Sequence, residues 1–139
     1  MNKVGLTEEF IEEVRKDCEI DEFGLVKENC TIINRTQRYI EEYYKQKRKL
    51  NYIENYLKKK KGELFEFYKT RYEIKLTSSN DIMIFIEKDD KYQKALEVYS
   101  EQKSVVDFLD KTIKNMQNKG FALRNLVELK KGENFWKLN

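Results

Sequence analysis

Histidine and proline are both absent from these 139 residues. Without histidine the chain lacks the commonest general base and the commonest metal ligand. Without proline nothing forces a helix to stop, so long uninterrupted helices are allowed. Glycine occurs only five times, and neither familiar glycine-rich phosphate loop is present. The two cysteines, Cys18 and Cys30, stand in charged surroundings with no CxxC spacing. They read as free thiols of a reducing cytoplasm rather than a disulfide or zinc pair. No apolar run reaches signal-peptide or membrane-span length, so a cytosolic protein is expected. Ser78, Ser79, Ser100 and Ser104 have no base of an obvious kind. Asp89 and Asp90 read as a helix cap ahead of a hard-metal pair. No enzyme, no cofactor and no metal site is expected.

Charge and good helix formers are plentiful. Charged residues make up 38% of the chain and hydrophobic ones 40%. A chain this small and this charged buries little core alone, so part of its apolar surface should be hidden by association. The net charge of +3 is unevenly spread: −4 over residues 1–35, +6 over 36–75 and +1 over 76–139. The positive potential belongs to the middle third.

The order of signals predicts an all-α chain. Thr7 followed by Glu8 and Glu9 is a helix start, with Phe10, Ile11 and Val14 on one face and an end before Ile20. Asp21 can cap a second helix, although Gly24 weakens its first turn. From about Val26 that helix carries Tyr43, Leu50, Leu57 and Leu64 seven apart, with Lys47 and Lys60 interrupting the neighbouring row. It reaches Tyr72 or bends near Gly62. Residues 73–90 are the least regular, and "IMIFI" reads as a short helix capped by Ser79 or Asn80.

Asp89 or Asp90 then caps a helix with Tyr92, Leu96, Tyr99, Val106, Leu109, Ile113 and Met116 at alternating spacings of four and three. Lys103 fills the one missing place. Gly120 is expected to end or kink this helix, with Lys119 beside it where a cation suits the carbonyl end. "FALRNLVEL" is then a short closing helix, and Gly132 begins a tail with Trp136. The heptad packs either within one chain or between chains.

The stretch "NYIENYLKKKKGELFEFYKTRY" puts a lysine run inside a belt of aromatics. Lys45, Lys47, Arg48 and Lys49 form one basic cluster, and Lys58, Lys59, Lys60 and Lys61 another. Arg38, Lys69 and Arg71 extend the series, and Tyr44, Tyr52, Tyr56, Phe65 and Tyr68 are interleaved. Cations that follow a phosphate backbone, with flat rings for the bases, are what a nonspecific single-strand binder needs. The two clusters, with Tyr52 and Tyr56, are the candidate DNA-binding residues. The bland alternative is a solvated lysine face over core aromatics.

Nearer the C-terminus, "NKGFALRNLVEL" (118–129) resembles the C-terminal signature of the UvsY family, recombination mediators of T-even-type phages. Asp107, Phe108 and Ile113 sit at matching distances upstream. "KDCEID" (16–21) and "FEFY" (65–68) are similar to two further steps of that family. The resemblance implies a non-enzymatic protein that forms a ring-like homo-oligomer, hexameric or heptameric. It would bind single-stranded DNA and help load the phage recombinase onto strands coated by single-strand-binding protein, in the cytoplasm of the infected host cell. Lys47, Arg48 and Lys58 match basic family positions, while two others fall on Gly62 and Leu64, one turn after Lys59, Lys60 and Lys61. The resemblance makes residues 1–75 the DNA-binding region and 76–139 the oligomerisation region. The interface candidates are Tyr92, Leu96, Tyr99, Val106, Phe108, Leu109, Ile113, Met116, Phe121, Leu123 and Leu126. The rivals are a structural or adaptor coiled-coil oligomer with no nucleic-acid role, and a duplex binder, for which no helix-turn-helix or basic-zipper pattern exists.

Overall fold

The computed structural model describes residues 6–19, 24–76 and 78–138, without the side chains of Leu25, Val26, Cys30 and residues 133–138. Four helices follow in order: α1 (Glu8–Cys18), α2 (Leu25–Thr70), α3 (Ser79–Glu87) and α4 (Asp90–Leu138). No strand occurs among the described residues.

Local chemistry accounts for several of the boundaries. Thr7 Oγ1 accepts from the Phe10 amide at 3.2 Å and starts α1, whose first turn carries Glu8 and Glu9. Asp89 Oδ1 accepts from the Tyr92 amide at 2.8 Å and starts α4. The cap expected of Asp21 falls on residues outside the described ones. For α3 the cap position is Ser78, one residue earlier than expected, and its side chain makes no capping bond. The run "IMIFI" is helical because Ile82 and Ile86, four apart, both bury on one side.

Two expectations at glycines are corrected. Gly120 does not end the last helix; the helix continues through the expected closing segment and past Gly132 to Leu138. The tail expected from Gly132 is therefore helical, and the Trp136 side chain lies outside the described ones. The second helix, expected to reach Tyr72 or bend near Gly62, runs on through Gly62 and ends at Thr70. An interior glycine costs only about 1 kcal/mol relative to alanine, far less than a proline. One such residue is outweighed by the flanking turns of good helix formers and their packing.

Two compact units share the chain. Among the described residues the first is Gln46–Val106; the second joins Leu6–Lys45 to the stretch beginning at Asp107. In the first unit the core is Leu50, Leu57, Ile82, Ile86, Val105 and Val106. The buried position between Tyr99 and Val106 is held by Gln102, not by Lys103, which is exposed. Three and four residues after Tyr99 are both allowed by helical spacing. The amide wins because Gln102 Nε2 donates to the Gln46 backbone carbonyl and to Gln46 Oε1, both at 2.9 Å. Tyr99 adds a bond from its hydroxyl to Glu54 Oε1 at 3.2 Å. At the α2–α3 corner, Tyr68, Tyr72 and Phe85 form a ring cluster with centroids 5.1–5.5 Å apart. Burial there raises the Tyr68 phenol above its ordinary value.

In the second unit the core is Val14, Ile32, Tyr39, Leu109, Met116 and Leu123, with Phe10 meeting the rings of Tyr39 and Phe108. A charged cluster lies beside it, with Lys119 buried and Asp17, Glu28 and Arg35 half-buried. Lys119, a core residue, sends its ammonium to the Asp17 backbone carbonyl at 2.5 Å and to Glu28 Oε2 at 2.6 Å, the latter an ion pair without hydrogen-bond alignment. Asp17 in turn accepts from the Tyr39 hydroxyl at 2.5 Å and pairs with Arg35 at 3.3 Å. Lys119 thus serves a helix carbonyl end, as its sequence position suggested. The end is that of α1 rather than of its own helix.

Candidate nucleic-acid interface

The basic clusters lie on α2, and helical geometry decides which of their members act together. Four consecutive residues fan through about 300° of a helix, so Lys58–Lys61 cannot all face one ligand. Leu50 and Leu57 mark the inward side of the first unit's stretch of α2. Arg48, Tyr52, Tyr56 and Lys59 follow at steps of four, four and three on the opposite side, with Lys49 and Lys58 flanking them. All six are exposed, Tyr52 to 76% and Tyr56 to 49%. From Arg48 to Lys59 the strip runs about 16 Å.

The other candidates take different places. Lys47 and Lys60 are half-buried at the margins of the core side. Lys61 is exposed but lies near the inward row of Leu57 and Leu64. Lys45 is exposed on the last residue of the second unit's stretch of the same helix, next to Tyr44, whose ring is also exposed. Phe65 and Tyr68 are half-buried, Tyr68 within the ring cluster, so these two aromatics belong to packing. The spacing of four through Tyr44, Arg48, Tyr52 and Tyr56 was the signal that separates surface rings from core rings.

None of the basic residues Lys45–Lys61 makes an ion pair or hydrogen bond among the described residues. Six cations of the second unit behave differently. Arg15, Arg35, Arg38, Lys114, Lys119 and Lys131 each pair with a carboxylate of that unit. An unpaired lysine in water keeps its full charge for a ligand and has no bond to a neighbour to give up.

The interface candidates on α4 divide three ways. Val106, Leu109, Met116 and Leu123 are buried within their own units. Tyr92, Leu96, Tyr99, Phe108, Ile113 and Leu126 are half-buried. Phe121 is 58% exposed, with the Arg124 guanidinium 4.7 Å from its ring centre, and Leu129, two turns on, is also exposed. Leu129 is not among the residues expected from sequence, because "LVELKK" offers several apolar residues and no way to choose the outward one.

A model of the family described as "Recombination, repair and ssDNA binding protein UvsY" matches residues 13–134. The chain belongs to the UvsY family. That family is one of recombination, repair and single-stranded-DNA-binding proteins, not of enzymes. Crystal structures of the bacteriophage T4 recombination mediator protein UvsY share the fold. The type IV lattice form gives a TM-score of 0.80 at 18% identity, covering 92% of this chain and 98% of that one. The type II form gives 0.81 at 17%, covering 93% and 98%. At such identity the likeness is one of fold. No curated protein matches. Among the described residues no helix is long and apolar enough to cross a membrane, and no three acidic, cysteine or histidine side chains gather as a metal site.

Proposed function

We propose that this UvsY-family chain is a recombination mediator of a phage. It binds single-stranded DNA along α2 and helps load the phage recombinase onto strands coated by the phage single-strand-binding protein. The observation that carries the reading is the set of unpaired, exposed cations on α2, interleaved with outward tyrosines. Arg48, Lys49, Lys58 and Lys59 would hold phosphates, with Lys45, Lys47, Lys60 and Lys61 adding to the local potential. Tyr52 and Tyr56 would offer ring faces to bases.

One such strip is a weak site. A ring of copies would present many strips on one strand, and tethered contacts add through effective concentration. Residues 1–75 would then supply the binding surface and 76–139 the assembly surface. Within the latter, Phe121, Leu129 and the half-buried Ile113 and Leu126 are available to a second copy. Val106, Leu109, Met116 and Leu123 would act by fixing the shape of α4. A strand held this way is extended and accessible to a recombinase while its coating protein is loosened.

The test is a fluorescence anisotropy titration with single-stranded and duplex DNA at two salt concentrations, alongside sedimentation. Preferential, salt-dependent binding of the single strand by an oligomer is expected. Phe121→Asp, on an exposed side chain, should lower both the mass and the affinity. An oligomer that ignores DNA would instead favour the adaptor reading.

A further inference from the structure

The same α2 strip has no means of reading the sugar, and we infer that it binds single-stranded RNA about as tightly as single-stranded DNA. This inference rests on the nucleic-acid reading of α2 and goes beyond it in naming the ligand class.

Telling RNA from DNA requires a protein group fixed against the 2′ position, either to bond the hydroxyl or to exclude it. A fixed group is one locked by packing or by a second hydrogen bond. No member of the strip is so locked. Arg48, Tyr52, Tyr56 and Lys59 share one convex helix face, Lys49 and Lys58 stand at its two edges, and all six are exposed. None of them makes a hydrogen bond, ion pair or ring contact among the described residues. The polar residues between them, Asn51 and Asn55, are exposed and equally without partners. A steric gate would need a concave wall, and the face of a single helix is convex. An open groove of the first unit lies elsewhere, on α4. It is lined by Gln93, Leu96, Glu97, Ser100 and Glu101, whose two carboxylates repel phosphate. What remains on α2 is charge for phosphates and ring faces for bases, and both are common to the two polymers.

The test uses the full-length protein and two labelled oligonucleotides of equal length, oligo(rU) and oligo(dU), which differ only at the 2′ position. Affinities within about threefold of each other are expected, with parallel salt dependence, because both polymers would be held through the same phosphates. Lys58→Ala/Lys59→Ala should weaken both by the same factor, and circular dichroism should show its helices intact. A preference for oligo(dU) of about tenfold or more overturns sugar-blindness while leaving the DNA reading in place. Loss of DNA binding with RNA binding retained in the double variant also overturns it, since the RNA would then sit on another surface. Binding of neither polymer overturns the nucleic-acid reading of α2 and this inference with it.

Discussion

Two regions of this chain use the same residue types in opposite ways. In the second unit several cations are structural: Arg35, Arg38 and Lys119 are tied to carboxylates or carbonyls, and Lys119 is buried. In the first unit the cations of α2 have no partners among the described residues, and all but the half-buried Lys47 and Lys60 stand in solvent. The difference is energetic. A buried pair forms at the expense of desolvation, and losing one member leaves a stranded charge. An exposed lysine costs the fold almost nothing and is kept or lost on other grounds. Counting charges cannot separate the two roles; their partners can.

Lys119→Met should break this contrast most severely. It leaves Glu28 with only the longer pairing to Arg35 at 3.8 Å and frees the carbonyl end of α1, and should destabilise the protein by about 3 kcal/mol in chemical denaturation. Adding Glu28→Gln should recover part of that loss. A Lys119→Met protein of native stability would remove the buried network as a determinant of the fold.

Next comes the opposite pole. Replacing Arg48, Lys49, Lys58 and Lys59 together by alanine should lower single-strand affinity by about tenfold to a hundredfold at low salt. The salt slope should fall by about 0.7 for each phosphate no longer neutralised. Stability in thermal unfolding should change by no more than about 0.5 kcal/mol. A large loss of stability with affinity retained would exchange the roles of the two regions.

Tyr39→Phe tests the network more gently. Losing the hydroxyl bond to Asp17 should cost about 1 kcal/mol. Burial, and then the neighbouring Asp17 carboxylate, push the Tyr39 phenol well above its ordinary value of 10.0. A phenol whose pKa is raised by folding leaves stability intact below about pH 10 and erodes it as pH climbs above that value. Wild-type stability should therefore fall through the alkaline range more steeply than that of Tyr39→Phe, as denaturation at pH 8 and about pH 11 would record.

The smallest effect is expected at Gly62, where an added Cβ meets nothing within 4 Å. Gly62→Ala should stabilise the helix by about 0.5–1 kcal/mol and leave DNA affinity within about twofold. A larger change in binding would mean that this helix must flex to hold its ligand.

How much of this was legible in the sequence follows from the range of each interaction. The caps at Thr7 and Asp89 act over three residues and could be read directly. So could the inward placing of Leu50 and Leu57, and the helical class of the whole chain. Gly120 misleads because a stop signal is only a local preference, and packing overrides it. Gln102 and Lys103 are easily interchanged because the partner that decides between them, Gln46, is 56 residues away. The buried role of Lys119 depends on Asp17 and Glu28, and no local pattern reports that. For the strip on α2, periodicity separates outward from inward rings, but the absence of ion pairs is a property of the folded chain alone.

The tie between Lys119 and the end of α1 has a consequence for synthesis. The first unit's residues 46–106 are contiguous, so that unit can close as the ribosome releases it. The second joins an early segment to a late one, and α1 gains its carbonyl partner only after residue 119 has emerged, 102 positions after Asp17. At about 5–20 residues per second, that is a wait of roughly 5–20 s. During this interval α1 exists without its anchor, while the unit carrying the basic strip is completed at residue 106, before Lys119 has been added.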